Sequence, residues 1–458
     1  MFDLNDFFYE DGTDDVLAAY VNNLLAATLR AEYKNTETIS ATRQLLDADT
    51  PFQILTASGA NRDVELAVEA TTNHVTVIYN AGGTYSLVVK DDAGSTTFVT
   101  LPPGAWAMCM PTGSTWLVHS SILTPEGVLD NLLINGSFRV AQRGTSFDST
   151  TTPANNDDNY LLDRWILLSD GNDVVDVSQD ASVIPDGSHN SIKLEVETAN
   201  KQFGILQILE GKDAAAIIAG VSSLSFQARM AAADDNTHSL KAVVLAWDGA
   251  EDAVTSDVLN VWGATATFVA NWTAENTPAS NTLTTSWQTF EIANISVDTS
   301  GAKNVAVFIY CDQTDGVIDD AIYITNVKLE KGSNPTDYVY RLYSDELMRC
   351  QYFFRRFQGP GTRTQYAACS NNSTSQAIAT FYFPIMRVPP TGSISAAGDF
   401  EIEYRSTATP VTAFTLDKIH NQGVRGVITT AAVLTAGEGT RLRGDNSTNS
   451  YIDLSAEL

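Results

Sequence analysis

The segment Tyr323-Ile324-Thr325-Asn326-Val327-Lys328-Leu329-Glu330-Lys331-Gly332 constrains the fold more than any other part of the chain. Apolar Ile324, Val327 and Leu329 are interleaved with polar residues, and the run stops at a glycine. Successive side chains of a strand point to opposite faces of a sheet, so this pattern reads as the closing strand of a β-sandwich. Further strands are expected at 132–140, 163–169, 191–197, 203–209, 221–230, 240–247, 286–292 and 303–311, separated by turn-rich spacers. Many short strands without helical periodicity argue for a mostly β chain.

Four regions follow. Residues 1–44 hold an aromatic N-terminal peptide and one long helix, 14–34, which Asp14 can cap. Its stripe of Leu17, Val21, Leu24 and Thr28 is too short to be stable alone and needs a partner, either its own β-domain or copies of itself. These four residues are the candidates for self-association. Residues 45–122 read as a small β-domain, with strands around Val64–Val68 and Val75–Tyr79 and turns at Asn80-Ala81-Gly82-Gly83 and Asp91-Asp92-Ala93-Gly94. Residues 129–332 read as the sandwich, 333–345 as a linker and 346–458 as a C-terminal β-domain. No repeat of fixed period is visible, so a solenoid or β-helix is not expected.

Composition excludes several classes. With 27 basic against 55 acidic residues, the formal charge of −28 opposes binding to nucleic acid or to anionic membranes. No apolar run approaches the roughly 20 residues of a membrane span, and residues 1–15 lack the basic start of a signal peptide. The four cysteines, Cys109, Cys311, Cys350 and Cys369, are dispersed among apolar neighbours without a zinc-type pair, which suits assembly in a reducing cytoplasm.

Motifs for catalysis are missing: no GxSxG, HExxH or Walker loop occurs. Among 55 carboxylates, acidic pairs arise by chance, so no catalytic residue is assigned and the chain is expected not to be an enzyme. Oxygen-rich loops lie at Asn155-Asn156-Asp157-Asp158-Asn159 and at 312–320, where Asp312, Asp315, Asp319 and Asp320 are candidate metal ligands; solvated turns are the alternative. The long polar insert 248–285 carries Trp262 and Trp272, candidate glycan-stacking rings, because a flat indole packs against the apolar face of a sugar. Trp165 and Trp287 lie in strand-like runs and are expected in the core.

Several motifs together resemble those of phage and prophage tail-fibre proteins with a jelly-roll, carbohydrate-binding-like domain. They are Asn131–Phe138 (NLLINGSF), Gln142-Arg143-Gly144, Asp163-Arg164-Trp165, the Val327–Gly332 strand, Glu346–Phe354 (ELMRCQYFF) and Tyr451–Leu458 (YIDLSAEL). The likeness covers roughly 128–458. Leu101-Pro102-Pro103-Gly104 and Gly113-Ser114-Thr115-Trp116 are similar to a small β-domain found along such fibres. The resemblance implies a jelly roll at 129–332, a short helix leading into an aromatic strand after 346, and a fibrous homotrimer anchored through its N-terminus to other virion proteins. It implies host attachment by a tail fibre, to surface glycan or protein, in a virion assembled in the host cytoplasm. A capsid fibre or decoration protein, and a glycan-degrading tailspike, are the alternatives. No cofactor is implied beyond the option of a structural Ca²⁺, which sugar-binding jelly rolls often carry.

Overall fold

The structure, a computed structural model, describes residues 34–68, 75–82, 84–112, 115–121, 131–232, 238–263, 266–312, 314, 316–359, 361–446 and 448–458. The expected helix 14–34, with Leu17, Val21, Leu24 and Thr28, lies outside the described residues except for its last position, Lys34, which begins a strand; Asp315 lies outside them as well. The chain divides into two compact units, Met1–Leu129 and Asp130–Leu458. Strands dominate throughout, so the mostly β expectation holds.

In the first unit, strand Lys34–Ile39 pairs in parallel with Phe52–Ala57, which pairs in parallel with Thr76–Asn80. On a second sheet Arg43–Gln44, Arg62–Glu65 and Leu87–Lys90 stack in parallel in the same order. The chain therefore winds back and forth between two sheets, and antiparallel strands Thr97–Leu101, Trp106–Pro111 and Trp116–Ser121 complete them. Ile39, Leu55, Val64, Ile78, Leu87, Val89 and Cys109 fill the space between the sheets. This coiled stacking corrects the expectation that no solenoid-like element exists. Lys34, Phe52 and Val77 occupy equivalent positions but are unequally spaced, because each winding carries a different loop, so no fixed period marks them.

The second unit begins with an antiparallel sandwich. One sheet holds, in order, Ser146–Phe147, Val175–Asp180, Ser191–Val196, Ala321–Lys331, Gly220–Met230 and Gln288–Val297. The other runs Asn159–Tyr160, Ile166–Ser169, Phe203–Leu209, Asn304–Cys311, Ser239–Trp247 and Trp272–Ala274, with Asn281–Thr282 also on Ser239–Trp247. Alternation sorts the residues: Val305, Val307, Ile309 and Cys311 face the sandwich core, while Ala306, Phe308 and Tyr310 face outward. Each fully buried aliphatic or Phe side chain contributes about 1.5–3 kcal/mol.

Two expectations need revision here. Residues 132–140 form turns, not a strand, and Asn135 (φ 59°) and Phe138 (φ 53°) are left-handed. Gly136 passes so close to Ala321–Lys331 that a Cβ there would lie 2.1 Å from the Val327 carbonyl oxygen. Thr325, Asn326, Lys328 and Glu330 of Ala321–Lys331 are also buried rather than solvated, and Lys331 alone in this strand is exposed. The 333–342 segment folds back over them: Lys328 Nζ donates to Thr336 Oγ1 (2.5 Å) and to Asp337 O (3.0 Å), and Glu330 Oε1 accepts from Thr336 N (2.6 Å).

Helix Tyr343–Phe353 leads directly into strand Phe354–Gln358, as the resemblance implied. The change from helix to strand at that point buries consecutive Phe353 and Phe354, which alternation within one strand would not. Phe354–Gln358 pairs with Tyr451–Ser455, and that strand with Thr391–Ile394. Beside them six strands close a barrel: Gln365–Asn371, Gln376–Tyr382, Gly423–Thr430, Thr407–His420, Phe400–Tyr404 and Gly439–Gly444. Phe381, Phe400, Ile402, Phe414, Ile428 and Leu442 fill it. Among the described residues no helix is long and apolar enough to cross a membrane.

Candidate functional site

The sequence motifs converge first on a buried ionic junction. Glu457 accepts from Arg143 Nη2 at 3.1 Å and is paired with Arg164, all three side chains being 94% buried or more. The Arg143 guanidinium lies 3.5 Å from the Phe354 ring centre, and that of Arg164 3.6 Å from Phe353. Asp163 accepts from the amide and side chain of Gln142 (2.6 Å each), and its carboxyl is held above the usual range by burial. Trp165 donates to Asn135 O (3.0 Å), and Asn135 N donates to the Glu346 carboxylate. Arg387 holds Ala456 O (2.7 Å) and Glu457 O (2.9 Å), and Arg356 clamps Asp453 through two 2.7 Å bonds. The Arg143, Arg164 and Asn135 contacts join the sandwich to the C-terminal region, while those of Asp163, Trp165 and Arg356 brace the two sides internally. The motif residues are thus structural, and a binding site has to be sought elsewhere.

The outward face of the seven-stranded sheet supplies it. Phe308 and Tyr310, two apart on one strand, stack with ring centres 4.7 Å apart and planes within 7°. They fit because residue 204 on the paired strand is glycine: a Cβ there would lie 2.6 Å from Tyr310 Cβ and 2.8 Å from Phe308. The 248–285 insert folds over this face, placing Val258, Leu259, Phe268 and Trp272 against it. Trp272 pairs across the sheet with Trp247 (5.2 Å between centres), donates to Thr255 Oγ1 (3.1 Å) and is only 5% exposed. It offers no stacking face, which corrects the expectation for this residue. Trp262 is half-buried, 5.9 Å from Phe308 and 6.3 Å from Tyr310, and part of its ring remains open.

Trp262 borders an open pocket of about 240 Å³, whose other polar lining is Asp157, Ser169, Asp170, Asp257 and Asn260. Asp157 Oδ1 accepts from Ser169 N (2.8 Å), and Asp257 Oδ1 from Leu259 N (3.0 Å). Burial and then the charges of Asp257 and Asp158 raise the Asp157 carboxyl; burial and Asp257 raise Asp158. A second opening of about 640 Å³ lies by Lys241, Phe268, Glu275, Asn276 and Tyr310. Three of its polar side chains are already engaged, Asn276 with Val244 N (2.8 Å) and Ala242 O (3.1 Å), Glu275 with Asp298 N (3.1 Å), Lys241 with Asp312.

Of the candidate metal ligands, Asp312 is paired with Lys241, Asp320 lies 3.2 Å from His238 Nε2, and Asp319 sits in a left-handed turn (φ 75°). Among the described residues no group of three or more His, Cys, Asp or Glu side chains is arranged to hold a metal ion. Sequence had drawn attention to Trp262 and to the Asp157 loop separately. What it could not show is that the insert carries Asp257 and Asn260 back to that loop.

No family profile and no curated protein sequence matches the chain. Among solved structures, the carbohydrate-binding module TmCBM61, determined with β-1,4-galactotriose, is similar over 44% of this chain and 98% of its own, at 15% identity and TM-score 0.25. The enzymatically active domain of bacteriophage CBA120 tailspike protein 4 is similar over 65% of this chain and 38% of its own, at 12% identity and TM-score 0.30. The C-terminal family 22 carbohydrate-binding module of a Clostridium thermocellum protein is similar over 44% and 98%, at 12% identity and TM-score 0.27. None of these scores carries a function to this chain.

Proposed function

We propose that this chain is a bacteriophage fibre protein that binds a glycan on the host surface, with the pocket beside Trp262 as its recognition site. The observation that supports it is the pocket itself: a half-open indole faces Asp157, Asp170, Asp257 and Asn260 in one opening. An aromatic face for the apolar side of a pyranose, surrounded by groups that hold hydroxyls, is the chemistry a sugar site requires. Placement in a virion assembled in the host cytoplasm, attachment to other virion proteins and a homotrimeric state rest on the sequence motifs. Host cells incubated with labelled protein should be decorated, and Trp262→Ala should abolish decoration while keeping the wild-type circular dichroism and a cooperative thermal transition lowered by only a few degrees. Normal binding by a folded Trp262→Ala protein removes the assignment. Light scattering should give three times the 49.4 kDa chain mass; a monomer at micromolar concentration removes the trimer.

One observation favours a second reading, glycan hydrolysis. Asp157 is a carboxyl raised by burial beside another carboxylate, the arrangement that lets one group act as an acid while its neighbour stays ionised. Non-catalytic binding is preferred because three sequence-level signatures of catalysis are lacking and the lining acids are tied to backbone amides. Release of reducing ends from host polysaccharide, lost in Asp157→Asn, would reverse that preference.

A further inference from the structure

The pocket has an unusual balance of hydrogen-bonding groups. Asp157, Asp170 and Asp257 are acceptors only when ionised, and no basic residue lines the opening with them. Asp158 adds a fourth carboxylate next to Asp157. Lys201 Nζ reaches Asp170 at 3.1 Å, but it is not part of the lining. Of the three side chains that could donate, the Ser169 hydroxyl is committed to Gly171 O at 2.8 Å, which leaves the Asn260 amide and the Trp262 indole N–H against three carboxylates. Backbone amides hold one oxygen each of Asp157 and Asp257, and Asp158 N–H adds a second bond to Asp157, so what the acids offer a ligand is their remaining lone pairs.

Three ligand classes can be weighed against this. An anionic glycan would bring its charge against three carboxylates in a partly desolvated opening and be repelled. A neutral sugar hydroxyl both donates and accepts, and here its accepting half finds little. A protonated amine carries three donors and no acceptor, so it matches the surplus of acceptors, and its charge relieves the mutual repulsion of the acids. The open indole adds attraction for a cation that a hydroxyl does not feel. The carboxyls of Asp157 and Asp158 are raised chiefly by burial, and the nearby charge of Asp257 adds to it.

We infer that the pocket selects a glycan bearing a protonated primary amine, an amino sugar without its acyl group, with the amine set between Asp157 and Asp257 and the ring against Trp262. This rests on the reading of the same pocket as a glycan site. A divalent cation alone fits less well, because the lining lacks a grouping of three acids suited to a metal and the indole would have no role.

The test is calorimetric titration of the full chain with glucosamine tetramer and with N-acetylglucosamine tetramer, at pH 6.5 and low salt. The expected result is at least tenfold tighter binding of the free amine, a preference that shrinks to within twofold in Asp257→Asn and Asp157→Asn and weakens at 0.3 M salt. Trp262→Ala should lose both tetramers. Asp176→Asn, an acid outside the pocket, controls for general attraction to a chain of net charge −28 and should keep the full preference. Equal affinity for the two tetramers, both lost in Trp262→Ala, would overturn the amine inference while leaving the glycan site intact. An amine preference that persists in both pocket variants would place it on the general acidic surface and also overturn the inference. Failure of both tetramers, together with unchanged host-cell binding by Trp262→Ala, would overturn the glycan site itself.

Discussion

Arg164 and Glu457 are paired out of water although 293 positions separate them in sequence, with 2% and 5% of their side chains exposed. Arg143 completes the junction from the other carboxylate oxygen at 3.1 Å. Two cations therefore share one anion, and both guanidinium planes lean on phenylalanine rings that the helix-to-strand change at Phe353 and Phe354 delivers side by side.

Removing the anion should be far costlier than its own loss of contacts. Glu457→Ala leaves two buried guanidinium groups uncompensated, so the second unit should lose about 3–5 kcal/mol in urea unfolding. Glu457→Gln, which keeps the shape and one acceptor oxygen but turns a donor amide toward the other guanidinium, should lose less. If Glu457→Ala unfolds at the wild-type midpoint, the junction is not what joins sandwich to barrel.

Gly204→Ala should destabilise the sandwich by about 1–3 kcal/mol through overpacking, because the new methyl would meet Ile309 O and Tyr310 Cβ at 2.6 Å. Since the methyl points at the Phe308–Tyr310 stack, on which Trp262 rests, the same variant should alter Trp262 fluorescence. A stable variant with unchanged emission would contradict the described packing.

The two tryptophans of the insert should behave differently. Trp272→Ala empties a buried site and should cost roughly 3–5 kcal/mol. Trp262→Ala, with part of the ring already in water, should cost roughly 1–2 kcal/mol. Equal losses in a denaturant series would mean that Trp262 is core and not a binding surface.

Asp176 should give the protein a measurable pH dependence. Burial, followed by Glu197, Asp148, Asp173 and Glu195, pushes its carboxyl from 3.8 up to about 6. A folded-state value above the unfolded one means this site favours folding fully below pH 3.8, and the benefit disappears as pH rises through 6. Asp176→Asn should therefore raise Tm at pH 8 by about 2–4 °C, the shift expected from ~1 kcal/mol once solvent screening of a half-exposed group is allowed for. That advantage should vanish by pH 4. A gap that is constant between pH 4 and 8 would refute the assignment.

How far sequence reaches is visible in particular strands. Phe203–Leu209 and the strand around Ile309 could be placed from hydrophobic runs alone, because a strand buried on both faces needs apolar residues at every position. Asn131–Phe138 is recognisable as a motif, but the strand expected at 132–140 does not form: the backbone there is shaped by two left-handed residues and by the contact of Gly136 with Val327, neither of which leaves a periodic signal. Trp262 and Trp272 have similar local surroundings, and only tertiary contacts decide that one is open and the other closed. Asp257 joins Asp157 through the path of the insert, which no local pattern encodes. The windings of residues 34–121 escaped notice because unequal loops conceal their equivalence.

Those windings have a geometric corollary. Strands Lys34–Ile39, Phe52–Ala57 and Thr76–Asn80 are stacked in parallel register, and neighbouring strands in such a stack lie about 4.8 Å apart. Duplication or loss of one winding would lengthen or shorten this segment by that increment while its cross-section and its end faces stayed the same. The length of this segment can then change in small steps without altering the packing inside each winding.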